Sequence, residues 1–309
     1  MLPFRLPQPP PRSIVELIRQ GVLDAELAAL LWLLVEGRVP LLVAAGPSGT
    51  GKTTLLEALL AFLPAGTERR HVLGMLEQFE WLPEAERLGW RRDAVDPMSA
   101  FRAGASVRLR DAGAVGPATA GPRIRVNPAT TCLVVAELSA HTPFYTWADA
   151  ARVVVRAVAL GYQLAATIHA ESLEEVVEEL AEPPNDLTGD ELSRLGVVAI
   201  LRIDRTGQRR ITAVHYVRPV SRDAGGHVQR LGPAVLATWD PRSARFEHFA
   251  WGVGPELAER IGMRAGDLEP ELARRAEYLA GLAAAGIDGV DAVHTAIDGY
   301  RTGTASHPA

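Results

Sequence analysis

VPLLVAAGPSGTGKTTLLEALLAFLP, residues 39–64, is the stretch around which the rest of the chain is organised. Residues 39–45 form an apolar, β-branched run bounded by Pro40 and Gly46, the pattern of a buried strand. Gly46-Pro47-Ser48-Gly49-Thr50-Gly51-Lys52-Thr53 follows, a full G-x-x-x-x-G-K-[ST] phosphate loop. Leu55, Leu56, Leu59, Leu60 and Leu63 then recur at helical spacing. Strand, glycine loop and helix stand in the order that phosphate binding needs.

Each residue type has a chemical reason. Gly46, Gly49 and Gly51 free the backbone to turn its amides toward an anion. The N-terminus of the following helix adds a positive end. Lys52 reaches the β- and γ-phosphates as a point charge, and the Thr53 hydroxyl is placed to ligate magnesium. Gly46, Ser48, Gly49, Thr50, Gly51, Lys52, Thr53 and Thr54 are therefore the expected nucleotide-binding residues. The bland alternative is a glycine-rich turn before a helix, which leaves the flanking elements unexplained. Lys52 is also the one lysine among 32 Lys plus Arg. A general drift to arginine does not explain why the survivor sits where a compact ammonium is required.

The chain has 309 residues, 48% hydrophobic and 22% charged, the composition of a globular protein with one large domain and a smaller one. A formal net charge of -5 argues against a nucleic-acid footprint over the whole surface. Cys132 is the one cysteine, so no intrachain disulfide forms. The proline-rich N-terminus does not resemble a signal peptide, and no apolar run reaches the ~18 residues of a spanning helix. The expected location is the cytoplasm, with any membrane contact made through a partner.

In chain order, residues 1–12 read as a proline-rich linker and 13–20 and 24–36 as short helices, the first capped by Ser13 with Glu16. Residues 70–80 read as a second strand ending in Glu77 and Glu80. Residues 81–128 read as irregular strands and loops rich in arginine. Residues 131–137 are an apolar strand closed by Glu137. A helix is expected over 143–160, stopped by Gly161, then a strand over 162–168 ending at His169, then an acidic helix over 172–181. Residues 197–203 and 209–217 read as a hairpin across Thr206-Gly207. The alternation implies an α/β fold with a mainly parallel sheet over 13–220. Residues 221–309 read as a C-terminal subdomain: a β-hairpin region, then helices over 255–263, 268–285 and 290–300.

Ligands of open α/β sheets bind at the carboxyl ends of strands. The phosphate loop, Glu77 and Glu80, Glu137 and His169 all fall at such ends. A magnesium-nucleotide hydrolase needs an acid to polarise water and a group that senses the γ-phosphate. Glu137 suits the first role, against the alternative of a capping carboxylate. His169 suits the second, against that of a structural histidine.

These residues resemble the secretion-motor ATPases of type II and type IV secretion, type IV pili and the archaellum. The pattern of that family is a phosphate loop, an acidic box, a Walker B strand ending in Gly-Glu, and a histidine box near T-I-H-A-N-S. Here stand Gly46 to Thr53, then Leu76-Glu77-Gln78-Phe79-Glu80, Val134-Val135-Ala136-Glu137, and Ala166-Thr167-Ile168-His169-Ala170-Glu171-Ser172. Leu30-Leu31-Trp32-Leu33-Leu34, Thr238-Trp239-Asp240-Pro241 and Arg275-Ala-Glu-Tyr-Leu resemble the archaeal-type branch. The resemblance spans about residues 13–300, without the larger N-terminal domain usual in the family.

The resemblance implies a RecA-like core, ATP and Mg2+ as cofactors, and a homo-oligomeric, hexameric ring. The ring would act on a polytopic membrane platform protein at the inner face of the cell membrane. It would serve a pilin or secreted substrate indirectly, with no direct nucleic-acid contact. Glu80 resembles the water-activating acid, Glu137 the Walker B acid and a metal ligand with Thr53, and His169 the γ-phosphate-linked histidine. Arg110, Arg123 and Arg125 resemble arginines that reach a neighbour's nucleotide. The acidic box departs from the family at Gln78, and Walker B at Ala136 and Ser139. Three readings stay open: a motor ATPase, a nucleotide-binding assembly subunit with weak turnover, and another phosphate-loop machine such as a DNA translocase or a small-molecule kinase.

Overall fold

The structure, a computed structural model, describes residues 10–46, 48–91, 126–142, 145–222 and 225–303. Two helices come first. In α1 (Ile14–Arg19) the Ser13 hydroxyl accepts from the Glu16 amide at 3.0 Å. In α2 (Ala25–Glu36) the Asp24 carboxylate accepts from the Leu27 amide at 2.8 Å. Each cap satisfies an amide that helical geometry leaves without a partner. Then follow β1 (Leu41–Ala44), α3 (Lys52–Leu59), β2 (Glu68–Val72), β3 (Thr131–Leu138), α4 (Asp149–Ala157), β4 (Gln163–Ile168), α5 (Leu173–Ala181) and α6 (Gly189–Leu192). The remainder is β5 (Gly196–Ile203), β6 (Arg209–Val217), a two-stranded ribbon β7 (Ser221–Arg222) and β8 (Val228–Gln229), β9 (Ala234–Asp240), β10 (Arg245–His248), α7 (Gly254–Arg260), α8 (Ala265–Ala284) and α9 (Val290–Thr302).

An eight-stranded sheet runs in the order β10-β9-β6-β5-β1-β4-β3-β2. β5, β1, β4, β3 and β2 are parallel, and β6, β9 and β10 extend one side antiparallel. The α/β class with a mainly parallel sheet is thus what the sequence led us to expect. Because the sheet is covered on both faces, its central strands are buried along most of their length and mainly apolar rather than alternating. Val43, Ala165 and Val197 enter a core shared with α1, α2, α3 and the C-terminal helices. Their neighbours Leu42, Ala166 and Val198 enter a second core with α4 and α5. Strand side chains alternate faces, so a single β1 serves both.

Three stretches differ from expectation. The second strand ends at Val72, not at Glu80. Leu73 leads instead into a 3-10 turn over Gly74–Leu76, and Gly74 has φ +60. The helix expected from 143 starts at Asp149. Before it, Thr146 returns to β3, donating to Glu137 O at 3.0 Å and accepting from the Ser139 amide at 3.3 Å. The chain beyond residue 220 shares the main sheet and core: β9 pairs with β6, and Trp32 of α2 meets Tyr300 of α9 at 5.1 Å and stacks on Phe62.

One contact between β10 and α2 predicts a pH effect. His248 Nε2 lies 2.9 Å from the second oxygen of Asp24, the residue that caps α2. Burial pushes the His248 pKa down, but the hydrogen bond and charge of Asp24, with Glu26 beyond, outweigh it and the net shift is upward. A raised histidine contributes stability that is full below the unfolded value near ~6.5 and is lost as pH rises through the folded pKa. Urea titrations of wild type should therefore show this loss above pH ~6.5. His248→Gln should remove that part of the slope; an unchanged slope would show that the pair contributes nothing.

Candidate functional site

Parallel pairing brings the carboxyl ends of β1, β4 and β3 to one edge of the sheet, with β4 between the other two. The phosphate loop leaves β1 there. Gly51, at φ +102, precedes α3, and Lys52 is the first helical residue. That φ suits glycine and strains any other residue. At Gly46, a Cβ would lie 2.3 Å from Oε1 of Glu171, an exposed side chain of the histidine-box segment that would have to move aside. Ser48, Gly49, Thr50, Gly51, Lys52, Thr53 and Thr54 line a cleft of about 490 Å³, within the size range of ligand pockets. Pro47 lies outside the described residues.

Glu137 faces this cleft from the end of β3. The register of β3 against β4 shifts between Val135 and Leu138. Ala136 is consequently exposed, and Glu137 turns inward to 9% exposure. Bulges near functional sites re-aim side chains in this way. The Thr167 hydroxyl of the intervening β4 donates to Glu137 Oε2 at 2.8 Å. Glu137 Oε1 lies 3.4 Å from Lys52 Nζ, an ion pair without hydrogen-bond geometry, so this buried oxygen makes no hydrogen bond among the described residues. Lys52 is 7% exposed and donates to Ala45 O at 3.3 Å. The ammonium of the first helical residue thus faces a buried carboxylate oxygen from the end of β3.

His169 stands at the end of β4. Its ring packs against His141 at 4.2 Å between centroids. His141 is fixed in turn by Ser139, whose hydroxyl lies 2.5 Å from Nδ1 and accepts from the His141 amide at 3.1 Å. Burial first, then the His141 ring and Lys52, hold the His169 pKa below the ordinary histidine range, while Glu137 and Glu175 pull the other way. At neutral pH His169 is thus an uncharged imidazole, able to donate or accept a hydrogen bond.

The two acids of the expected acidic box separate. Glu77 is buried and accepts from the amides of Leu73, Gln78 and Phe79 and from Trp81 Nε1, at 2.8–3.2 Å. It organises its own loop. Glu80 is exposed in the following turn and is absent from the cleft lining. Arg110, Arg123 and Arg125 lie outside the described residues. The cleft also holds residues that sequence reasoning missed: Arg12, Tyr145 and Arg209. Arg209 lies in the expected hairpin, but strand periodicity does not say which segment a hairpin arm meets. Among the described residues, no group of three or more His, Cys, Asp or Glu is placed to hold a metal by itself. Mg2+ fits such a site because it binds through one or two protein oxygens and substrate phosphates.

No family profile matches the chain. An uncharacterized protein of Methanocaldococcus jannaschii is 25% identical over 279 residues, which is 86% of this chain and 90% of the relative. Among solved structures, the VirB11 ATPase of the Brucella suis type IV secretion system overlaps 69% of this chain and 67% of its own, at 19% identity and a TM-score of 0.36. The Legionella pneumophila ATPase DotB overlaps 63% of this chain and 51% of its own, at 12% identity and a TM-score of 0.30. At these TM-scores only part of each fold superposes, and the reading of the cleft rests on its own residues.

Proposed function

We propose that the chain binds Mg-ATP in this cleft and hydrolyses it as a motor subunit of a type II or type IV secretion or pilus-like machine. The observation that carries the nucleotide reading is Lys52 of a complete phosphate loop lying 3.4 Å from a buried Glu137 whose Oε1 lacks a hydrogen bond. The secretion assignment rests on the sequence resemblance, above all the Thr167-Ile168-His169-Ala170 stretch with His169 at the strand end.

Amides of the loop from Ser48 to Thr53 would hold the β-phosphate, and Thr53 and Glu137 would hold the metal. When bound, Mg2+ neutralises charge at the β- and γ-phosphates. Lys52 would leave Glu137 for those phosphates, which releases the carboxylate to orient water. Thr167 keeps Glu137 aimed, and neutral His169, which does not line the cleft but feels the charges of Lys52 and Glu137, would report the γ-phosphate by hydrogen bonding. The ring of subunits, the membrane platform partner and the cytoplasmic location belong to the same proposal. No described helix is long and apolar enough to cross a membrane.

The placement of the acids favours a second reading, an assembly subunit that binds ATP and turns it over slowly. Glu77 spends its carboxylate on loop amides, and Glu80 does not line the cleft. Phosphate release by the purified chain, with Mg-ATP and with EDTA, separates the readings. Rapid EDTA-sensitive release supports the motor, and tight binding with little or no release selects the second reading. Failure to bind nucleotide overturns both.

A further inference from the structure

Three consecutive side chains at the start of β6 bind backbone carbonyls of two different segments. They follow a turn closed by Asp204, whose carboxylate accepts from the Thr206 amide and hydroxyl and the Gln208 amide at 2.6–3.0 Å. Along an extended strand, side chains alternate faces. Gln208 Nε2 donates to Gln20 O at 2.8 Å, and Arg210 Nη1 donates to Gly21 O at 2.8 Å. The Ile211 amide adds a bond to Val22 O at 2.9 Å. These bonds fasten the hairpin to the link between α1 and α2. Gly21 has φ +69, and a Cβ there would sit 3.2 Å from Gln208 Nε2 and 3.3 Å from Arg210 Nη1, so both amide and guanidinium close directly over it. Arg210 also lies over the Trp239 ring at 3.7 Å, which fixes the mount.

Arg209, between them, faces the other way. Its Nη2 donates to Gly49 O of the phosphate loop at 3.0 Å. A Cβ on Gly51 would lie 3.1 Å from Arg209 Cδ and 3.4 Å from its Nε, so the side chain runs along the turn from which α3 starts. A loop that points its amides at an anion points carbonyls outward, and each outward carbonyl needs a donor. With glycines at 49 and 51, the loop also has much freedom to lose on binding. A clamp on Gly49 removes part of that cost beforehand. The acceptor is a neutral carbonyl, so the guanidinium charge is not cancelled there.

We propose that Arg209 is a positioning residue of the nucleotide site, clamping the phosphate loop from a hairpin fastened to the α1–α2 link and adding a positive charge beside Lys52 from the same subunit. The proposal rests on the nucleotide reading of the cleft. It is tested by equilibrium binding of a fluorescent non-hydrolysable ATP analogue and of ADP, each with Mg2+, across a range of salt. The proteins are wild type, Arg209→Ala and Arg209→Gln.

Arg209→Ala should weaken both nucleotides about tenfold, with a shallower salt dependence and an unchanged melting temperature in the absence of nucleotide. Arg209→Gln keeps a donor and loses the charge. It should fall between wild type and Arg209→Ala in affinity and share the shallower salt dependence. If Arg209 only staples the hairpin, Arg209→Ala lowers the melting temperature and leaves affinity and salt slope as in wild type, and the proposal fails alone. If wild type binds neither nucleotide, the nucleotide reading fails and this proposal with it.

Discussion

Glu137→Gln is expected to lower Mg-ATP turnover by ~100-fold or more while nucleotide binding survives. The substitution keeps size and one acceptor oxygen, so the Thr167 hydroxyl retains a partner at the position where it now donates at 2.8 Å. What disappears is the negative charge that faces Lys52 at 3.4 Å and would later face metal and water. Steady-state phosphate release and nucleotide binding measured on the same preparation separate the two effects. Equal turnover by wild type and variant would show that the β3 bulge aims Glu137 at Lys52 for structural reasons only. A variant that no longer binds nucleotide would assign Glu137 to binding rather than to turnover.

Lys52→Ala should abolish nucleotide binding and also destabilise the protein without nucleotide. The second effect follows from burial. Glu137 is 9% exposed, and removing the ammonium leaves a carboxylate in the cleft without its counter-charge. Losing one partner of a buried pair costs about 3 kcal/mol, at the lower end for a site open on one side. Urea unfolding should show that loss, and the double variant Lys52→Ala/Glu137→Ala should recover much of it. Chemical labelling tests the same contact in wild type. At 7% exposure and ion-paired, Lys52 should react with an amine-directed reagent more slowly than the N-terminal amine. Mg-ATP should slow Lys52 further and leave the N-terminus unaffected. Identical labelling of Lys52 with and without nucleotide, read by peptide mass spectrometry, would remove the main support for the nucleotide reading.

The parts of this protein whose physics is local were legible in its residues alone. A phosphate loop is defined by backbone freedom at fixed spacing, so Gly46 to Thr53 could be read directly, and so could the strand-to-helix context that gives it meaning. Apolar runs made β1 and β3 readable as strands, and together with the strand read over 162–168 their ends marked Glu137 and His169 as neighbours of the loop. Which polar groups those ends bring together depends on tertiary packing. The β3 bulge, set by pairing against β4, turns Glu137 inward, and no periodicity shows it. Glu77 and Glu80 read alike in sequence. One is consumed by its own loop's amides and the other is exposed, because the strand stops at Val72. His141 comes to pack against His169 through a loop held by Ser139. Arg209 reaches Gly49 across 160 residues of chain, a contact made by the packing of a hairpin against a loop remote from it in sequence. Spacing fixes what a short segment can be; long-range pairing fixes what it touches.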